Sequence, residues 1–248
     1  MPEGHTGEGC VNWQDLIGRV WCGDALDWLR AWPDGSADLV LTDPPFNAGI
    51  NYGGGFNDRR PWPEWAAWLD IRIRDMERVS SGLVLVFASV TGLLEFTRHV
   101  RRPNWVGVWY KPMSLSHRVG GSPWLPHWEP IMAFGKAWGE GGRVPAYSLP
   151  DVIRCNPAER NEHPCPKPIP LLARILRDIP AQVVFDPFAG SGSTGVAAVR
   201  EGRMFAGCDL NPDYCAMAEK RIGHEREKMR LDFGEAAVAA TKGSAEHV

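Results

Sequence analysis

The hexapeptide Thr42-Asp43-Pro44-Pro45-Phe46-Asn47 places a carboxylate, two prolines and an aromatic ring directly after an apolar run. The prolines fix the backbone there, so the acid, a carbonyl and the ring project from one short, rigid turn. Two acceptors for two N–H bonds, with a ring for a flat face, would suit an exocyclic amine on a planar base. A plain strand-ending turn accounts for the prolines but not for the carboxylate beside an aromatic. A second segment, Phe185 to Gly195 (FDPFAGSGSTG), runs from a strand into glycines at 190, 192 and 195 and then into a helix. Glycine there permits positive φ and close backbone approach. The helix start offers free N–H groups to a polar or anionic moiety. Asp209 ends the next strand, where a carboxylate can accept hydrogen bonds from ribose hydroxyls. The segment also reads as a glycine turn without a ligand, but loop, helix and terminal acid together point to an adenosine-containing cofactor. No Lys precedes the helix Ser/Thr, which excludes a phosphate-cradling P-loop.

The elements that must position these two segments alternate along the chain. Arg19–Cys22, Ala37–Thr42, Leu83–Ala88, Trp105–Lys111, Pro130–Phe134, Gln182–Phe185 and Met204–Cys208 read as strands. Ala25–Trp32, Pro63–Val79, Thr91–Arg101, Ile169–Ile179, Thr194–Glu201 and Pro212 to about Met229 read as helices. The continuous apolar runs mark strands buried on both faces. The expected fold is therefore α/β, a doubly wound, mostly parallel sheet with helices on both faces. Gly135 to Pro168 shows no clear period. Residues 1–11 are expected to be a flexible N-terminus, 12–232 a single domain with a variable insert at about 112–162, and 233–248 a flexible tail.

Composition narrows the class. The 248 residues are 44% hydrophobic and 23% charged, which excludes a disordered chain, a collagen or a small disulfide scaffold. A net charge of −3 announces no polyanion partner through the whole-chain field. The six cysteines have no framework spacing, so a reduced, cytoplasmic protein is expected. Cys155, His163 and Cys165 form the nearest approach to a metal pattern, and without a C-x-x-C pair no metal is expected. No apolar stretch is long enough to span a bilayer, so no membrane association is expected.

Asp43-Pro-Pro-Phe46 resembles the catalytic D/N/S-P-P-Y/F/W motif of amino-group DNA methyltransferases. Asp186-Pro-Phe-Ala-Gly-Ser-Gly192 resembles their S-adenosylmethionine (SAM) loop, and His163-Pro-Cys-Pro-Lys-Pro168 the H-P-x-x-K-P element of the permuted β subgroup. Gly23-Asp24 and His127-Trp-Glu129 fit the same pattern, and the resemblance covers roughly Val20 to Ile222. It implies a Rossmann-like SAM-dependent methyltransferase fold and methyl transfer to an amino group of a flipped base. Asp43 and the Pro44 carbonyl would accept the amino hydrogens, with Pro45 and Phe46 completing the catalytic turn. Asp186, Phe188, Gly190 and Gly192 would form the SAM loop, Asp209 would take the ribose, and Asp24 would lie near the adenine. His163 and Lys167 would lie near the methionine carboxylate. Phe46 stands where Tyr is commoner, and the region between His127 and His163 is short for a target-recognition domain.

The Asn47–Arg60 loop carries Asn51, Arg59 and Arg60, and could close over an extruded base as a mobile loop. His117, Arg118 and Arg143 are further candidate contacts to double-stranded DNA. The arginines at 72, 74 and 78 and at 98, 101 and 102 suit either phosphate contact or a solvated helix face. The resemblance favours adenine N6 over cytosine N4, since Asp heads the motif, and implies DNA methylation of the restriction-modification kind. A homodimer is compatible with the sequence, and no partner endonuclease is specified by it. From other classes, a nicotinamide-dependent oxidoreductase and a non-catalytic nucleic-acid-binding module stay open.

Overall fold

The structure, a computed structural model, describes residues 16–53, 55–113, 124–135, 148–158 and 166–243, with residues 232–243 described by their backbone alone. His117, Arg118, Arg143 and His163 lie outside the described residues.

The strands are β1 (Val20–Cys22), β2 (Ala37–Thr42), β3 (Ser80–Phe87), β4 (Trp105–Tyr110), β5 (Trp128–Gly135), β6 (Val152–Arg154), β7 (Val183–Asp186) and β8 (Met204–Asp209). They form one sheet in the order β1-β8-β7-β2-β3-β5-β4-β6. All pairings are parallel except β3 with β5 and β4 with β5. The helices are α1 (Ala25–Ala31), α2 (Trp62–Val79), α3 (Val90–His99), α4 (Ile169–Asp178), α5 (Ser193–Arg200) and α6 (Pro212–Gly243).

The apolar runs explain the layers. Along β2, Leu39 and Leu41 enter one core, with α4, α5 and α6. Val40 enters the other, with α1, α2 and α3. Strand β3 divides in the same way, Leu83, Leu85 and Phe87 against Val84 and Val86. The period of two thus sends alternate side chains to opposite faces, and the continuous apolar runs follow from covering both.

The order also fixes where a ligand can sit. From β7 the chain moves outward through β8, while from β2 it moves the other way through β3. The β7–β2 junction is therefore a topological switch point, the place where open α/β sheets bind ligands. Asp38 secures that junction at its base, its carboxylate accepting from the Gln182 and Val183 N–H groups at 2.8 and 2.9 Å.

Two elements differ from expectation. Strand β6 lies in the stretch without period and pairs in parallel with β4. Three residues are too few to show a period, and pairing rather than pattern makes them a strand. Helix α6 runs past Met229 to Gly243, so the stretch from 233, expected to be loose, is helical there. Its run Ala236 to Ala240 is rich in the best helix former.

Candidate functional site

At the switch point the two chemically unusual segments share one cleft. Its walls include Asp43 and Pro45 after β2, and Asp186, Phe188, Gly190 and Ser193 from the β7–α5 turn. Asp209, Leu210 and Asn211 after β8 and Asp24 before α1 complete it, around about 920 Å³ that includes the open mouth. Strand pairing brings Asp43 beside a loop about 150 residues away in the chain.

The glycine turn is held from inside. Asp186 is buried, and its Oδ1 accepts from the Thr42 hydroxyl at 2.6 Å and from the Phe188 N–H at 3.0 Å. The end of β2 is thereby tied to the start of the loop. Burial pushes the Asp186 carboxyl up to about 6, against the opposing effect of bonds from Thr42 and Thr194. Asp209 receives the Gly190 N–H on one oxygen and the Asn211 N–H on the other, both at 2.9 Å. Burial raises its pKa too. Gly192, at φ +80°, caps α5 without a side-chain bond. Gly195 serves packing: a Cβ there would strike Ile222 and Phe205.

The Asp43-Pro-Pro-Phe46 turn is more elaborate than its residue types suggested. Asp43 Oδ2 accepts from Lys167 Nζ at 2.6 Å, while Asp43 Oδ1 is buried with no hydrogen-bond partner. Lys167 also lies 3.4 Å from Glu129 Oε2, and Lys111 donates to Glu129 Oε1 at 2.8 Å. Both lysines are buried. The Lys167 ammonium sits 4.9 Å from the centre of the Phe46 ring and 5.2 Å from that of Phe87, distances suited to cation–π attraction. Although 24% of the Asp43 side chain is exposed, its carboxylate is desolvated, and burial raises its carboxyl to about 6 against the pull of Lys167. Burial acts upward on Glu129 as well, but there Lys167 and Lys111 prevail and hold it below the usual range.

Lys167 was expected near a methionine carboxylate, and it does line the cleft, but its close carboxylate is Asp43. Pro44 is buried, and the Pro45 carbonyl accepts from the Trp65 indole at 3.0 Å. Phe46 stands on the Lys167 side of the turn, half-buried against the core. Asp24 caps α1 and pairs with Arg72 at 3.0 Å.

The loop after the turn is pinned where a mobile one was expected. Asp58 is buried, and its carboxylate accepts the N–H groups of Asn47, Ala48 and Ile50 at 2.8, 3.1 and 3.0 Å. Asn47, at φ 61°, exchanges two bonds with the Arg60 backbone. Arg60 lies over Phe56 and Trp68 at 5.1 and 5.4 Å. Asn51 and Arg59 are exposed on this loop. Asp58→Ala strands three backbone donors, so a loss of about 2–4 kcal/mol in urea unfolding is expected, with faster hydrogen exchange at residues 47–50. Unchanged exchange there would show that the clamp is dispensable.

Sequence reasoning missed Trp68, which follows Trp62 and Trp65 at a spacing of three along α2. It lines the cleft with Phe56 and Phe188, their ring centres 5.4 and 5.8 Å from its own. Asn211 was missed as well; its amide donates to the Tyr52 carbonyl at 2.8 Å, latching the loop to the β8 end. The arginine clusters resolve mainly into internal pairs. Arg74 and Arg101 bind Asp70, Arg101 also binds Glu77, and Arg78 binds Asp34 and Asp75. Among the described residues no group of His, Cys, Asp or Glu could hold a metal ion. No helix among them is long and apolar enough to cross a membrane.

Comparison with known proteins bears directly on this cleft. A family model for N6/N4 DNA methylases matches residues 108–220, which include Glu129, Lys167 and the whole glycine turn. Over that stretch the chain is similar to the amino-group DNA methyltransferases. It is 27% identical over 234 residues to YubD of Escherichia coli strain K12, a protein named as a methylase, covering 84% of this chain and 91% of that one. The DNA adenine methyltransferase YhdJ of the same organism is 27% identical over 241 residues, covering 81% of each. The solved PvuII cytosine-N4-specific DNA methyltransferase has the same fold, with a TM-score of 0.61 at 18% identity over 86% of this chain and 95% of that chain.

Proposed function

We propose that this methyltransferase transfers a methyl group from SAM to the N6 amine of an adenine flipped out of double-stranded DNA. The observation that carries the reading is the shared cleft: Asp43 and Gly190 line the same space. The cleft fits the cofactor's chemistry. An open helix start, a terminal acid and a buried Ser193 hydroxyl without a hydrogen-bond partner are donors and acceptors in place for a polar nucleoside. Asp186, Phe188, Gly190, Gly192 and Asp209 would hold SAM, with Asp24 toward the adenine. When bound, SAM supplies a methyl group on a positively charged sulfur.

The chain's part is to make a poor nucleophile attack. The lone pair of an adenine amine is delocalised into the ring. Asp43 Oδ1 accepts one amino hydrogen and the Pro44 carbonyl the other, which draws the nitrogen toward tetrahedral geometry. Fixed acceptors then stabilise the positive charge developing on nitrogen, in a site that needs little reorganisation. Phe46 offers its ring to the base, a stacking contact of about 1–3 kcal/mol. Asn51, Arg59 and Arg60 on the pinned loop face DNA together with His117, Arg118 and Arg143, and the insert at 112–162 reads the target. Catalytic turn, variable region and cofactor loop follow one another in the order of the permuted β subgroup. We place the enzyme in the cytoplasm, in restriction-modification.

Cytosine N4 is the second reading, because the same two acceptors suit either amine. Asp at the head of the motif and the adenine activity in the name of YhdJ favour adenine. Nucleoside analysis of host DNA after expression is expected to show N6-methyladenine. N4-methylcytosine instead would transfer the assignment to the second reading, and neither product would refute both.

A further inference from the structure

The Lys111–Glu129–Lys167 chain behind Asp43 has no part in the reading above. We propose that Lys167, held in place by Glu129 and through it by Lys111, is a positioning residue that keeps Asp43 ionised and turned so that Oδ1 alone is offered to the amine. The inference rests on the methyl-transfer reading for the identity of the amine, but not for the pairing itself.

The two oxygens of Asp43 are unequal. Oδ2 is occupied by an ammonium at 2.6 Å, and Oδ1 is buried without a hydrogen-bond partner. A buried acceptor left empty costs about 1–3 kcal/mol, a cost that makes sense if a substrate hydrogen fills it. A lone carboxylate there could rotate or take up a proton. Lys167 prevents both, because an opposite charge at contact favours the ionised form. An ammonium close to one carboxylate could also swing away from it. Its contact with Glu129 Oε2 at 3.4 Å, and the pairing of Glu129 Oε1 with Lys111 at 2.8 Å, fix it from behind. The rings of Phe46, Phe87 and Trp109 surround the ammonium at 4.9, 5.2 and 5.9 Å.

The charged groups facing Asp43 come from three sides. Lys167 lies just ahead of α4, Glu129 on β5 with Lys111 after β4 behind it, and Asp186 at the end of β7. Lys167 lowers the Asp43 pKa and Glu129 raises it. Their removal must therefore move the titration in opposite directions, a signature that general loss of structure does not produce.

The test titrates Asp43 through its 13C-labelled carboxyl resonance in the enzyme without DNA or SAM, and measures the pH dependence of kcat/KM with labelled SAM and duplex DNA. In Lys167→Met the Asp43 titration and the acid limb should both rise by about 1–3 pH units. A rise of two units cuts the ionised fraction at pH 7 about tenfold, and raising the pH should restore the rate. Lys167→Arg should keep the wild-type limb. In Glu129→Gln both should move down, since a repelling charge is gone while the rings of Phe46, Phe87 and Trp109 still keep Lys167 at Asp43; a rise instead would overturn the proposal. SAM affinity by calorimetry should be unchanged in all three. Weakened SAM binding in Lys167→Met with an unmoved acid limb would overturn the proposal and return Lys167 to the methionine carboxylate. Limbs unmoved in both Lys167→Met and Glu129→Gln would overturn it as well. The resonance decides the pairing even if the wild-type enzyme methylates no DNA, an outcome that would defeat the functional reading alone.

Discussion

Asp43→Asn is expected to lose methyl transfer by at least about 10²–10³-fold, the effect of removing one preorganised hydrogen-bonding group, while binding SAM normally and melting at a higher temperature. Activity falls because the neutral amide accepts a hydrogen bond more weakly than a carboxylate and presents a donor to the amine in one of its two orientations. Stability rises for the reason that makes the site reactive. Burial moves the Asp43 carboxyl from 3.8 to about 6 in the folded chain. Between those values the folded state holds a proton that the unfolded state has released, so stability declines as pH climbs from about 4 to about 6 and stays lower above that. A shift of two units corresponds to about 3 kcal/mol at neutral pH, and each kcal/mol moves the melting temperature of a chain this size by about 2–4 °C. Calorimetric melting of the two proteins at pH 7.5 and pH 4 measures it. The gap should open at the higher pH and close at the lower. A variant that melts below wild type at pH 7.5 would show that the carboxylate supports the fold.

The contrast shows which parts of the site could be read in the sequence. The D-P-P-F turn and the glycine loop are local, since each needs particular residue types at consecutive positions to set a backbone shape. The sheet was legible for a related reason. Strands buried on both faces, such as Ala37–Thr42, leave continuous apolar runs, and their alternation with helices fixes the architecture. What stayed hidden depends on pairing across the chain. Lys167 carries a visible charge, but its partner is Asp43, 124 positions away. Lys111 and Glu129 meet only because β4 and β5 are antiparallel neighbours. Asp58 looked like one acid in a polar loop until its carboxylate closed on three backbone donors. Trp68 has the spacing of a core residue, and only the position of Phe56 and Phe188 makes it a wall of the cleft.

Gly192→Ala should unfold more easily by about 2–4 kcal/mol and bind SAM much more weakly. Two independent terms act at this position. At φ +80° and ψ 22° a residue with a Cβ adopts a left-handed conformation, costing about 1–2 kcal/mol. The added carbon would also lie 2.8 Å from both Cα and Cβ of Ala218, closer than packed carbons approach. Overpacking of this kind costs about 1–3 kcal/mol. The obstacle is the buried backbone of α6, not the end of a flexible side chain, so it is relieved only by separating α6 from the start of α5. That movement would displace Ser193 and Gly190, and with Gly190 the N–H bond to Asp209 that sets the acid beside the loop. Urea unfolding and SAM calorimetry on the same preparation separate the two effects. A destabilised variant with wild-type SAM affinity would place the cofactor elsewhere than against this turn. If stability also remained at the wild-type value, the close packing of α5 on α6 would itself be refuted.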